Sequence, residues 1–330
     1  TCPCALGLAV PVVQVLASGE LLKEGILLKS GDALERLSDI DTIIFDKTGT
    51  LTYGTPALTG GTYADKDLQL AASLARSSRH PLSKALTAAY DGELTALDVE
   101  EHPGKGLSST FEGQQVRLGS RSWCGADTEN DVPDLELWLA LGEETIVRFV
   151  FADKVRSDAS NTIKQLHQMG LHTTLLSGDR QATATRVARA LDISQVIAEV
   201  SPTEKCEYLK KLKAEGKRVL MVGDGLNDAP ALAAADASMS PSTAIDIAQN
   251  TADIIFQGDK LLPVLIALKT ARRSTKLVRQ NFGLAIGYNI VAIPLAIAGY
   301  VTPLVAAVAM SGSSLIVILN AFRLKQKGSF

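Results

Sequence analysis

A surplus of either charge is missing from this chain. Its 33 lysines and arginines nearly balance 36 aspartates and glutamates, leaving a net charge of −3 over 330 residues, so bulk electrostatics gives no support to nucleic acid as a partner. Cysteine is scarce too. The four residues, at 2, 4, 124 and 206, make no framework of the kind that staples small secreted domains, and reduced thiols on a cytosolic side are expected. The opening TCPCALGLAVPVVQV has neither a basic leading stretch nor a cleavage site, which argues against a signal peptide. It reads as a membrane helix cut in its middle, and the chain as a fragment.

Charge is absent altogether from 281–299 and from 303–322. Each run has about the length of a bilayer core, so both are expected to span one. The three residues between them leave room only for a tight hairpin. Lys269, Arg272, Arg273, Lys276 and Arg279 precede the pair and Arg323, Lys325 and Lys327 follow it, which places both flanks in the cytosol. Residues 2–18 are a third apolar segment, short for a full span. From about 29 to 262, short apolar strands alternate with amphipathic helices, as in a soluble α/β body.

Three strands of that body end on carboxylates. DTIIFDKTGTLT runs through Ile43 to Phe45 into Asp46, HTTLLSGD ends at Ser177-Gly178-Asp179, and RVLMVGDGLNDAP ends at Asp224 with Asp228 beyond. Ligands of open parallel sheets collect at the carboxyl ends of the strands, so the three ends are expected to converge. Acids beside glycine-rich turns suit Mg2+ and phosphate. Any one Asp-Gly pair alone is more simply a turn; three of them, with Lys205 following in SPTEKCEYLKKL, point to a site.

Asp46-Lys47-Thr48-Gly49-Thr50-Leu51-Thr52 and Gly223-Asp224-Gly225-Leu226-Asn227-Asp228-Ala229-Pro230 resemble the phosphorylation and hinge motifs of P-type ATPases. Ser78-Arg79-His80-Pro81, with Cys2-Pro3-Cys4, resembles the heavy-metal branch of that family. The motifs keep the family's order along the chain, which looks like the carboxy-terminal part of a copper-transporting P-type ATPase. The resemblance implies an α/β, haloacid-dehalogenase-like phosphorylation domain in two parts, 21–57 (with stalk) and 153–262. An α+β nucleotide-binding domain is inserted at 58–152. It also implies a truncated transmembrane helix at 1–20, a cytosolic stalk at 263–280, two transmembrane helices within 281–322 and a cytosolic tail at 323–330. ATP as substrate, copper(I) delivered by a chaperone, contact with membrane lipid and a bacterial inner-membrane location follow from the same likeness.

On this resemblance Asp46 is the nucleophile that takes the γ-phosphate of ATP as an acyl phosphate. Mg2+ is held by Asp46, the Thr48 carbonyl and Asp224, and Lys205 neutralises the transferred phosphoryl oxygens. Ser177 and Asp179 match the family's Thr-Gly-Asp loop with Ser for Thr, and Asn227 and Asp228 order the loop around the phosphate. Soluble phosphatases of the fold usually carry a second Asp two residues after the nucleophile; Thr48 stands there, so the intermediate is expected to persist.

His80-Pro81 is expected to orient the adenine end of ATP, and Gly104-Lys105-Gly106 to allow close backbone approach. Ala75 stands where the family often has Glu, and Ser120 where it has Asn, so nucleotide affinity or pose is expected to differ. His102, His167 and His172 read as structural or surface residues. Ser18-Gly19-Glu20 imitates the family's dephosphorylation loop but falls in the stalk, and no catalytic role is expected of it. The actuator and the earlier helices are expected to lie outside this chain.

For the ion, residues two apart on a helix point about 200° away from each other, so Cys2 and Cys4 can share a ligand only if Pro3 breaks the helix. Thiolates favour Cu(I), Zn2+ or Cd2+. Met310, Ser313 and Ser314 share one helical face, and Tyr288-Asn289 lies in mid-span. A thioether, and spans without Asp, Glu or Lys, favour Cu(I). The expected function is ATP-driven copper(I) export. A Zn2+ or Cd2+ transporter and a membrane-tethered phosphatase are the alternatives, while a passive metal-binding scaffold would have no use for Asp46, Asp224 and Lys205 together.

Overall fold

The computed structural model describes residues 4–126, 135–142, 145–224, 228–242 and 250–325. They divide into two units: Thr1–Asp46, Ser157–Gly178 and Ala188–Phe330 form one, and Lys47–Arg156 with Asp179–Val187 the other.

The first unit holds a seven-stranded sheet of β1 (Ile26–Leu28), β2 (Thr42–Asp46), β9 (His172–Leu176), β10 (Gln195–Ile197), β11 (Val219–Val222), β12 (Ala237–Pro241) and β13 (Ile254–Phe256). Its order is β1-β13-β12-β11-β2-β9-β10. Every pairing is parallel except that of β1 with β13. β2 and β11 are buried along their whole length, which explains their unbroken apolar runs: both faces are covered. On one face Leu209 of α9 (Pro202–Ala214) and Ala231 and Leu232 of α10 (Ala229–Ala234) pack on Ile44, Leu176, Val219 and Met221. Helices α3 (Ala33–Ser38) and α7 (Ala159–Gln168) also belong to this unit. In register, Phe45 sits between Leu175 and Val222. The carboxyl ends of β9, β2 and β11 are therefore level.

The apolar helices are α1 (Cys4–Leu8), α2 (Pro11–Lys23), α11 (Leu262–Ile297) and α12 (Pro303–Phe322). Three candidate spans result: Ala5–Lys23, Leu262–Ile297 and Pro303–Phe322. The apolar side chains of the last two, among them Ile290, Val291, Leu304 and Val308, are exposed as lipid-facing residues would be. Two features of these helices add to the reading of the sequence. The first apolar segment is two helices rather than one, interrupted at Ala9-Val10 ahead of Pro11, whose ring removes a backbone donor; the break expected at Pro3 falls outside the described residues. Stalk and span are also a single helix, because α11 runs unbroken for 36 residues. Its start is held by Asp158, whose carboxylate accepts from the Leu261 and Leu262 amides at 2.9 and 2.7 Å. Ala5, Ala285 and Val317 join α1, α11 and α12 through small contacts. Ser18-Gly19-Glu20 lies inside α2, with Glu20 paired to Lys23.

The second unit is a six-stranded antiparallel sheet in the order β3-β8-β7-β6-β5-β4. Its strands are β3 (Thr52–Thr62), β4 (Glu100–His102), β5 (Gly106–Phe111), β6 (Gln114–Gly119), β7 (Leu135–Leu141) and β8 (Thr145–Val155). Leu68, Ala71 and Leu74 of α4 (Asp65–Ala75) and Leu82 and Leu86 of α5 (Pro81–Ala88) cover Leu107, Val116, Leu118, Leu139 and Phe149. The short α6 (Arg121–Cys124) buries Cys124 against Trp138. Asp179 is followed by α8 (Gln181–Ala190).

Candidate active site

Local sequence puts Lys205 in place. Ser201-Pro202-Thr203-Glu204 is a capping box: Ser201 Oγ accepts from the Glu204 amide at 3.3 Å, and the Glu204 carboxylate accepts from the Ser201 amide at 2.7 Å. The box fixes the start of α9, whose buried residues are Lys205 and Leu209, one turn apart. Because Leu209 enters the core, Lys205 is carried inward as well, to the strand ends. Its Nζ donates to Asp46 Oδ1 at 2.6 Å and to Asp228 Oδ1 at 2.7 Å. Asp224 completes the group, with one carboxylate oxygen from each of Asp46, Asp224 and Asp228 lying within 4.8 Å of the others. Asp228, expected to order the loop around the phosphate, is thus also a member of the carboxylate cluster.

One ammonium faces three carboxylates. Burial first, and then repulsion from Asp228 and Asp224, push the Asp46 carboxyl up to about 7 against the pull of Lys205. Burial alone would lower Lys205, but Asp46 and Asp228 more than reverse this and keep it charged. A small, hard divalent cation fits these carboxylate oxygens, whose negative charge the one ammonium does not fully offset. Asp46, Asp224 and Asp228 are the residues that would hold Mg2+, whose charge would draw in and polarise phosphate oxygens.

Beyond Asp46 the chain makes a tight turn. Thr48 has φ −74° and ψ 131°, and Gly49 φ 70° and ψ −11°, the dihedrals of a type II turn, in which the second central residue needs glycine's freedom. Lys47, nearly buried, pairs with Asp179. Ser177 is buried where β9 ends, its amide donating to the Ile197 carbonyl at 2.9 Å. Asn227 lies outside the described residues.

In the second unit, His80, Gly104 and Gly106 come together, and Pro81 follows His80 at the start of α5. His80, Gly104 and Gly106 line one cavity of about 300 Å³, together with Ser78, Glu101 and Ser120. His80 caps α5: its Nδ1 accepts from the Leu82 amide at 3.3 Å, so the ring proton sits on Nε2, and Pro81 takes the first helical position. Gly106 has φ 154°, and a Cβ there would lie 2.2 Å from the Leu118 carbonyl oxygen. Its strand partner Gly119 is equally confined, with a Cβ position 2.3 Å from the Lys105 carbonyl oxygen.

Sequence reasoning passed over three residues of this cavity. Gly119 could have been found from the LGSRSW stretch that holds Ser120. Glu101 accepts from Ser78 Oγ at 3.3 Å and puts a carboxylate on the cavity wall. His102 is no mere surface residue: it lines the cavity, its ring 4.8 Å from that of Trp123 and its Nε2 2.8 Å from Ser108 Oγ. His167 is structural, with Nε2 2.7 Å from Thr173 Oγ1.

Of the expected metal ligands, Cys2 lies outside the described residues, and only the backbone of Cys4 is described, opening α1. Tyr288 and Asn289 sit half-buried on α11, where Asn289 Nδ2 donates to the Ala285 carbonyl at 2.9 Å. Ser313 and Ser314 both donate to the Met310 carbonyl, at 2.8 and 3.2 Å. Their oxygen lone pairs remain for a ligand.

Residues 40–236 match the family described as haloacid dehalogenase-like hydrolase. The chain is 49% identical over 334 residues to the nitrogen fixation protein FixI of Rhizobium leguminosarum bv. viciae, a match covering 99% of this chain and 44% of that protein. It is 40% identical over 342 residues to a copper-exporting P-type ATPase of Staphylococcus epidermidis, covering 98% and 43%. The chain therefore spans less than half the length of these relatives. A crystal structure of a zinc-transporting PIB-type ATPase in the E2.Pi state matches with a TM-score of 0.89 and 27% identity, over 98% of this chain and 56% of that one. A membrane protein by its apolar helices and these relatives, the chain belongs to the haloacid dehalogenase-like hydrolases and, among them, to the PIB-type branch of the P-type ATPases.

Proposed function

We propose that this chain carries the phosphorylation and nucleotide sites, and part of the ion path, of an ATP-driven copper(I) exporter. The observation that carries the reading is the double contact of Lys205 with Asp46 and Asp228 at the strand ends. A carboxylate oxygen of Asp46 attacks the γ-phosphorus of ATP, the bond to the β,γ-bridging oxygen breaks, and ADP leaves. Lys205 holds Asp46 toward its ionised form and meets charge on the incoming phosphoryl oxygens. His80, Gly104, Gly106 and Ser120 hold the adenosine end. The family likeness assigns Asp179, Asn227 and the Thr48 carbonyl to phosphate and Mg2+ as well. Water later hydrolyses the acyl phosphate, and Thr48, which is no acid, does not hasten that step.

Copper(I) is favoured by Cys2 and Cys4 with Met310 as soft ligands, and by Tyr288, Asn289, Ser313 and Ser314 in spans free of acids. The name of the Staphylococcus epidermidis relative agrees. A zinc exporter is the second reading, because the PIB-type structure that matches over 98% of the chain is described as zinc-transporting. The catalytic residues face the cytosol, at a bacterial inner membrane, with a chaperone delivering the metal. The test is labelling by [γ-³²P]ATP in the membrane-embedded protein, with Cu(I), Zn2+ and chelator compared. Asp46→Asn is expected to abolish the label and Cys2→Ser its dependence on Cu(I); label surviving Asp46→Asn would overturn the mechanism, and stimulation by Zn2+ alone would overturn the ion.

A further inference from the structure

The turn that follows Asp46 has a type II form at Thr48-Gly49, in which the central peptide takes one of two orientations that differ by a flip. Part of what braces it lies more than a hundred residues later in the sequence. Arg156, only 4% exposed, donates from Nη2 to the Gly49 carbonyl at 2.8 Å, while its backbone amide donates to the Leu51 carbonyl at 2.9 Å. Its guanidinium lies over the Tyr53 ring, 5.6 Å from the centroid. One residue thus grips the carbonyl next after that of Thr48, the far end of the turn and the strand that follows. Support comes from Thr52, whose Oγ lies 3.0 Å from the Lys47 carbonyl and also bonds Asp153. Lysine could not reproduce the arrangement, because a single ammonium lacks the planar fork that bonds a carbonyl while lying over a ring.

We propose that Arg156 is a positioning residue for phosphoryl transfer, fixing the Lys47–Leu51 turn and, through the continuous chain, the bearing of the adjoining Asp46 on the divalent cation. This rests on the reading of Asp46 as the phosphorylated residue and assigns it a further requirement. Outer partners that orient a metal ligand are commonly worth about 10- to 100-fold in metal affinity, and Arg156 acts at that level through the backbone that follows Asp46.

The test uses Mn2+ as a paramagnetic probe. Binding is followed by electron paramagnetic resonance on the whole chain in detergent, for wild type, Arg156→Met and Arg156→Lys. Metal-free binding of a fluorescent ATP analogue in the His80 cavity is the check on folding. We expect Mn2+ affinity to fall about 10- to 100-fold in Arg156→Met and to recover partly in Arg156→Lys, with analogue binding unchanged in both. In the membrane-embedded protein, the Mg2+ requirement for labelling should rise more than the maximal label falls. If Arg156→Met does not fold, Arg156→Lys decides. Wild-type Mn2+ affinity in a folded variant overturns the proposal, as does a loss of analogue binding equal to the loss of Mn2+ binding. Failure of the wild type to label at Asp46 would instead overturn the proposed function, leaving the Mn2+ comparison to stand alone.

Discussion

Lys205 and Asp46 are 159 residues apart in sequence and 2.6 Å apart in space. The lysine also bonds Asp228, so one ammonium supports two buried carboxylates that would otherwise repel each other. Lys205→Met should therefore cost more than a surface ion pair, on the order of 3–5 kcal/mol, because it strands buried charge. The metal-free chain should melt earlier, and Mg2+ should raise its melting temperature more than that of the wild type. A melting curve unchanged by the substitution would contradict the pairing.

Asp46 makes cation binding depend on pH. Its carboxyl is raised from 3.8 to about 7 in the folded chain, so the folded state holds a proton that the unfolded state has lost. The contribution to stability is present in full below the unfolded value and disappears as pH rises through about 7. A cation must displace that proton, so Mg2+ affinity should climb about tenfold per pH unit below 7 and level off above it. Calorimetry in buffers of different ionisation enthalpy would count the released proton; an affinity flat from pH 5 to 8 would speak against it.

The two glycines of the pocket turn should respond differently. Gly106→Ala would drive a Cβ to 2.2 Å from a backbone oxygen, whereas nothing lies within 4 Å of a Cβ on Gly104, whose φ is 74°. Gly104→Ala then carries only left-handed strain, about 1–2 kcal/mol. Gly106→Ala must also part β5 from β6, and should lose nucleotide binding while Gly104→Ala keeps most of it. Titration with the fluorescent ATP analogue separates the two; equal affinities would refute the close approach.

Asn281, wholly buried, gives Nδ2 to the Ala9 carbonyl at 3.1 Å and accepts from Asn320 Nδ2 at 2.9 Å. The Ala9 carbonyl is at the α1–α2 break, where helix bonding is interrupted. Asn281→Leu should cost about 1–2 kcal/mol and speed amide exchange over residues 9–13 ahead of other helices. Uniform exchange across the helices would argue that the asparagine merely fills space.

The convergence of Asp46, Asp224, Asp228 and Lys205 at the strand ends was legible in the sequence because its signals are local. β-branched runs followed by Asp and Gly announce buried strand ends, and the Ser201–Glu204 box announces how Lys205 is aimed. Gly119, Glu101 and His102 were less legible, since their place in the cavity depends on strand register between β4, β5 and β6, which no short motif encodes. The continuity of α11 was hidden for another reason. Its side chains change from charged to apolar near Asn281, while the backbone hydrogen bonding that makes a helix is indifferent to that change. Arg156 was hidden because its partners are carbonyls, which every residue possesses.

That continuous helix has a mechanical consequence. At 1.5 Å per residue, its 36 residues make a shaft of about 54 Å, clamped at one end by Asp158 and carrying Tyr288 and Asn289 near the other. A twist or thrust applied at the clamp has no joint in which to dissipate until Pro294, where the missing amide leaves the Ile290 carbonyl without its helical partner. The gearing is therefore direct down to the depth of Asn289, and its one flexible coupling sits just beyond.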